Sequence, residues 1–231
     1  MIKSRSIRIV TIALSLFIIN VLAGCLATTD TTPANVTNND NKILRVGIST
    51  NAPPLAFKKG NTLQGLEVDF ARQLADFLGK KPHFVTLAWN KQLPALEEGK
   101  IDIIMSGMTI TPKRSYRVAF AKPYMRSGQM LLVRMKEARR YSSGIYSLMG
   151  NKPAIGTIQD TTGDFFITKT INRPNLTHFK TSKKAVEALI KGNIDVFVHD
   201  APVICHFAAM NESAKITPIL QLATEEYLAW A

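Results

Sequence analysis

The nine residues Ser106-Gly107-Met108-Thr109-Ile110-Thr111-Pro112-Lys113-Arg114 bring together groups suited to holding a carboxylate. Gly107 lets a ligand approach the backbone closely, and Thr109 offers a hydroxyl. Thr111 before Pro112 reads as a helix N-cap with proline at the first helical position, which puts Arg114 on the first turn of a short helix. A guanidinium there grips a carboxylate through two parallel hydrogen bonds, helped by the free amides of the helix start. A surface arginine after a capped turn is the competing reading, and spacing alone does not separate the two. Elsewhere the reactive inventory is thin: there is no His-Glu-x-x-His pair, no Gly-x-Ser-x-Gly elbow and no phosphate loop, and the four histidines are dispersed. No metal site and no cofactor is expected.

Positioning that segment requires a frame, and the hydrophobic periodicity predicts one. Residues 43–48 form a short apolar strand. Leu66, Phe70, Leu74, Phe77 and Leu78 recur at helical spacing until Gly79 stops the helix. A strand over 84–87, a helix over 90–98 closed by Gly99 and a buried strand over 101–105 follow. The series recurs as strand 154–158, helix 163–171, strand 176–179, helix 182–191 and strand 194–199. Two α/β lobes with mostly parallel sheets are therefore expected. Between them 129–134 reads as a strand leaving the first lobe, and 136–151 as a polar, basic entry to the second. In open sheets of this kind ligands bind beyond the carboxyl ends of the strands, where the Ser106 to Arg114 segment lies.

The amino terminus sets the compartment. Lys3, Arg5 and Arg8 precede an apolar run from Ile9 to Ile19, which is short for a membrane span of roughly 20 residues, and Val21-Leu22-Ala23-Gly24-Cys25 resembles the lipobox of a bacterial lipoprotein. That resemblance implies a signal peptide over residues 1–24, a lipidated Cys25 anchored by acyl chains, and export to the outer side of a membrane. Residues 25–42, rich in Thr, Asn and Asp, read as a tether. With Cys25 lipidated, only Cys205 remains, so the mature monomer has no internal disulfide. The formal charge of +12 falls to +9 beyond residue 25. Basic residues are scattered as pairs without interleaved aromatics, which favours a lipid-facing or solvated surface over nucleic acid.

Five segments in register resemble the bacterial extracellular solute-binding proteins of polar amino-acid ABC transporters: Gly65-Leu66-Glu67-Val68-Asp69-Phe70, residues 101–114, Pro123-Tyr124, residues 156–163, and residues 192–200. The resemblance covers residues 43–231 and implies a periplasmic-binding-protein type II fold, with lobe 1 over 43–130, lobe 2 over 131–223 and a return strand over 224–231. It implies an amino-acid ligand, ABC permease partners, a monomer and no catalytic residue. By the same resemblance Arg114 pairs with the ligand α-carboxylate, helped by Thr109 and the backbone amide of Thr162. Asp200 receives the α-ammonium, together with the carbonyl of Ser106 or Gly107. An N-cap role for Asp200 before Ala201-Pro202 stays open, and His199 reads as a satisfied strand-end histidine.

Three departures from the family pattern matter. The first loop is Asn51-Ala52-Pro53-Pro54-Leu55, without the usual stacking aromatic, so Trp89 is the candidate for that wall, with a core tryptophan as its alternative. Asp160 stands where glycine is common, and an acid there would repel a plain carboxylate or select a cationic side chain. The family continues with further helices beyond the return strand, so an incomplete first lobe is expected. A non-binding truncated fragment and a dehydratase-like enzyme, with Asp200 or Glu67 as the acid, are the competing functions.

Overall fold

Strand β1 (Ile43–Ile48) runs through the centre of the first sheet, with Val46 and Ile48 fully buried. The structure is a computed structural model that describes residues 42–231; the expected signal peptide, Cys25 and the tether as far as residue 41 lie outside them. After β1 come β2 (Asn51–Ala52), β3 (Ala56–Lys59) and β4 (Thr62–Gln64), a small antiparallel sheet. Helix α1 (Leu66–Phe77) then buries Val68, Ala71 and Ala75, one stripe at helical spacing. Strand β5 (Lys81–Thr86), helix α2 (Gln92–Glu97) and strand β6 (Ile103–Ile104) complete a parallel sheet of order β5-β1-β6. The strand expected over 101–105 is thus shorter, although its hydrogen bonding extends further: Asp102 N–H donates to the Arg45 carbonyl (2.8 Å) and Met105 N–H to that of Gly47 (3.1 Å).

Helix α3 (Pro112–Ser115) is capped as its sequence suggests, Thr111 Oγ1 accepting the Arg114 N–H at 3.2 Å. Strand β7 (Met125–Ser127) precedes β8 (Gln129–Arg134). Then follow α4 (Ser147–Asn151), β9 (Ala154–Ile158), α5 (Thr162–Thr170), β10 (Asn175–Phe179), α6 (Ser182–Lys191), β11 (Val196–Asp200), α7 (Ala201–Met210) and β12 (Ile216–Ile219). The second sheet has the order β10-β9-β11-β8-β12. Its strands β10, β9 and β11 are parallel, and β8 runs antiparallel to both of its neighbours. So β8 is an inner strand of this sheet instead of one leaving the first lobe. The reason is burial: Gln129 to Val133 are all buried, and such a run needs cover on both faces. Apolar clusters flank the sheet, one built on Leu132, Leu189 and Phe197, the other on Leu131, Ile155 and Val198.

The chain crosses back as β13 (Glu226–Leu228), antiparallel to β7. Its continuation lies along the first sheet, where Ile104 N–H donates to the Ala231 carbonyl at 2.7 Å and Ala229 N–H to that of Met108 at 3.0 Å. The described residues, 42–231, belong to one unit. No helix among the described residues is long and apolar enough to cross a membrane.

Candidate functional site

The carboxyl ends of β1 and β6 face the start of α5 and the end of β11 across a cavity of about 90 Å³. Ser49, Asn51, Trp89, Ser106, Gly107 and Thr109 line it from one lobe, and Thr162, Lys180, Ser182, His199 and Asp200 from the other. Six of the seven ligand-binding candidates therefore share one cavity. Arg114 lines a neighbouring cavity of about 200 Å³ with Lys113, Arg117 and Asp160, and Trp89 is a wall of both. Among the bonds that cross between the lobes, Ser182 Oγ donates to the Asn51 carbonyl at 2.8 Å and Trp89 Nε1–H to that of Asp160 at 3.0 Å.

Arg114 is held by its cap, by an Nη1–H bond to the Thr109 carbonyl (2.8 Å), and by the Trp89 ring, whose centroid is 5.2 Å from Cζ. Only 8 % of it is exposed. Burial lowers its pKa, and the charges of Asp200 and Glu226 oppose that shift. Trp89 is neither a plain core residue nor a free stacking surface, since it lies on the guanidinium and bonds the opposite lobe.

Asp200 occupies the N-cap position of α7 but its side chain caps nothing. Instead Oδ1 accepts Gln129 Nε2–H at 2.5 Å. Burial first, and the nearby Glu226 second, push its pKa up to about 7. His199 is buried against Phe197, and its Nδ1 accepts the Asp200 N–H at 2.7 Å, which places the proton of the neutral ring on Nε2. Burial lowers its pKa to about 4, so it stays neutral beside the acid.

Ser106 Oγ accepts from Ser49 N–H (2.7 Å) and Gln92 Nε2–H (3.2 Å), tying its loop to β1 and α2. Gly107 has φ +66°, a left-handed conformation that turns its N–H onto Glu67 Oε1 at 2.5 Å. Asp160 also has a positive φ, 64°, which explains why a glycine suits that position and why an aspartate is tolerated.

Two participants escaped the sequence reading. Glu226 is buried on β13, where its carboxylate accepts hydroxyl hydrogens from Thr109 (2.7 Å) and Thr162 (3.0 Å). Gln129 Nε2 reaches Thr162 Oγ1 (3.1 Å) and Glu226 Oε1 (3.0 Å) as well as Asp200. The available signal was the alternation of β13: Glu226 and Leu228 point inward and Tyr227 outward, and an inward glutamate in a strand demands a reason. Among the described residues no group of His, Cys, Asp and Glu could hold a metal ion.

The profile of the bacterial extracellular solute-binding proteins, family 3, matches residues 44–201. A probable histidine-binding protein of Neisseria gonorrhoeae is 29 % identical over 195 residues, 82 % of this chain and 71 % of that protein. The arginine-bound form of truncated ArgBP from T. maritima superposes with a TM-score of 0.75 at 29 % identity, covering 83 % of this chain and 88 % of that one. The ancestral amino acid-binding protein AncCDT-1, a precursor of cyclohexadienyl dehydratase, gives a TM-score of 0.74 at 31 % identity, covering 83 % and 81 %. These neighbours share the two-lobed periplasmic-binding type II fold seen here. The chain belongs to the bacterial extracellular solute-binding proteins, family 3.

Proposed function

We propose that the protein captures an α-amino acid between its lobes and delivers it to an ABC importer, acting as a binding protein and not as an enzyme. The observation that carries this reading is a buried cation, Arg114, beside a cavity lined by hydroxyls and by the acid Asp200, whose charge acts on the guanidinium. A zwitterion presents one charge of each sign, and closing the cleft on it compensates both in a medium of low dielectric. Trp89 separates the two cavities, so a carboxylate that reaches Arg114 meets it at the wall they share. Ser106, Gly107, Thr109 and Thr162 supply the polar surface between the charges. The names of the relatives, histidine- and arginine-binding among them, support an amino acid as cargo.

In this reading the first lobe begins at residue 43 and the second ends at 223, with 224–231 returning to the first; the boundary expected after residue 130 moves ahead of Gln129, because β8 belongs whole to the second sheet. The protein works as a monomer held at the membrane by lipid on Cys25, with the tether giving it reach to the permease.

The test is calorimetric titration with a panel of amino acids. Asp200→Asn should weaken an α-amino acid at least tenfold more than the corresponding desamino acid; equal losses would take Asp200 out of the ammonium role.

Affinity should also depend on pH. Asp200 must be ionised to receive an ammonium, and in the ligand-free cleft it titrates at about 7. Affinity is then level above pH 8 and falls by about tenfold per unit below 7; a flat profile from pH 5 to 8.5 would count against the assignment. For the ligand-free fold the sign is opposite. The folded state holds this proton more tightly than the unfolded chain, so the group adds stability below about pH 4 that is lost as pH rises through 7.

A further inference from the structure

The cleft holds one more acid than a zwitterion requires. Glu226 lies directly behind the cavity wall formed by Thr109, Thr162 and Asp200. Its Oε2 takes the hydroxyl hydrogens of both threonines, one from each lobe, at 2.7 and 3.0 Å. Its Oε1 accepts from Thr224 Oγ1 at 2.8 Å and from Gln129 Nε2 at 3.0 Å. Gln129 serves Asp200 with the same nitrogen, and its Oε1 is buried without a partner, so the amide presents its donor end to both carboxylates.

A threonine hydroxyl owns one hydrogen. Once Glu226 has taken it, Thr109 and Thr162 face the cavity with lone pairs only. The side chains of Thr109, Thr162 and, once ionised, Asp200 then accept hydrogen bonds and donate none, while the Thr162 N–H at the start of α5 remains a donor. A carboxylate on that wall meets no side-chain donor, whereas a cationic nitrogen with several N–H groups meets three side-chain acceptors.

Charge leads to the same conclusion. At the cavity wall the charged groups are Arg114 against Asp200 and Glu226; Glu67 lies farther back, under Gly107, where burial favours its neutral form. Lys180 lines the cavity but is exposed, and water screens it. A ligand of zero net charge leaves one negative charge uncompensated in the closed cleft, and a ligand with a second cationic centre neutralises it.

Resting on the amino-acid capture reading, we propose that Glu226 is the residue that sets the charge class of the ligand, selecting an amino acid with a cationic side chain by turning the Thr109–Thr162 wall into an acceptor surface. It acts through the hydroxyls and through its field, without touching the ligand.

The experiment is calorimetric titration of the protein and of Glu226→Gln with two pairs of ligands close in shape but different in charge, arginine with citrulline and lysine with norleucine. The wild type should bind the cation of at least one pair ten or more times more tightly than its neutral partner. Glu226→Gln should lose at least tenfold of that ratio, because its amide can donate where the carboxylate only accepted, and Glu226→Asp should keep most of it. An unchanged ratio in Glu226→Gln, or a wild type that binds the neutral partner as tightly as the cation, overturns the assignment. Should Glu226→Gln show no cooperative melt, Thr162→Val takes its place, since it removes one hydroxyl of the acceptor wall; it should lower the ratio at least threefold, and an unchanged ratio again overturns the proposal. A wild type that prefers neutral or acidic amino acids sinks this assignment and leaves the capture reading standing. A wild type that binds no amino acid sinks the capture reading, and this one with it.

Discussion

Arg114→Ala should abolish measurable amino-acid binding while leaving the melting transition nearly where it is. The guanidinium is buried, and among the described residues its bond is a single one, Nη1–H to the Thr109 carbonyl. A guanidinium has five N–H donors in a fixed fork, so most of its capacity remains for a ligand. Truncating one partner of a buried, hydrogen-bonded charge pair costs 2–5 kcal/mol or more, roughly 30- to 5,000-fold in affinity. The effect on the ligand-free fold is smaller because two terms oppose each other. Removing the side chain forfeits its contact with Trp89, worth about 0.5–2 kcal/mol, and relieves the desolvation that lowers the arginine pKa. Arg114→Lys keeps the charge but loses the planar fork, and should fall between wild type and alanine. Titration calorimetry beside a circular-dichroism melt separates the two quantities. Unchanged affinity would remove Arg114 from the site, and collapse of the melt would make it a structural residue.

How far the sequence speaks for this site follows from the range of the interactions involved. The Thr111-Pro112 cap is local, so the short helix that positions Arg114 was legible from its own residues. The helix 182–191 was legible for the same reason: it starts at the Thr181 cap and ends at Gly192, which has the positive φ of a left-handed cap. Strand β8 is legible as a strand but reads as leaving the first lobe, because an apolar run declares its burial and not its partners, which are β11 and β12. The polar interior was the least legible. Thr109 and Glu226 are 117 residues apart and Gln129 and Asp200 71, and no periodicity encodes pairs at such distances. Asp160 is an intermediate case. Its departure from glycine was visible, but the left-handed backbone that explains the glycine was not.

Glu67→Ala should be the most destabilising single change in the first lobe. Glu67 is completely buried on the first turn of α1, and three segments far apart in sequence converge on its carboxylate. Gly107 N–H and Tyr124 Oη–H donate to Oε1, each at 2.5 Å, and Trp230 Nε1–H donates to Oε2 at 3.0 Å. Burial pushes its pKa up, and the three donors pull it back only in part. The aromatic donors also pack on each other and on Phe70, Tyr124 and Trp230 being stacked at 5.9 Å between centroids. Alanine leaves a buried amide, a phenol and an indole without an acceptor. At about 1–3 kcal/mol for each unsatisfied group, the loss is roughly 3–9 kcal/mol, a large part of the 5–15 kcal/mol that ordinarily holds a protein folded. Glu67→Gln keeps one oxygen for two of the donors but turns an NH₂ toward the third, so about half that loss is expected. Urea melts measure both, and a midpoint unmoved by Glu67→Ala would show that water satisfies the three donors instead. Function should fail before the fold does. Gly107 lines the ligand cavity with a backbone conformation that its bond to Glu67 holds in place, so Glu67→Gln should bind ligand more weakly at temperatures where it is still fully folded. That ordering separates a residue that merely fills the core from one that holds the floor of the cleft.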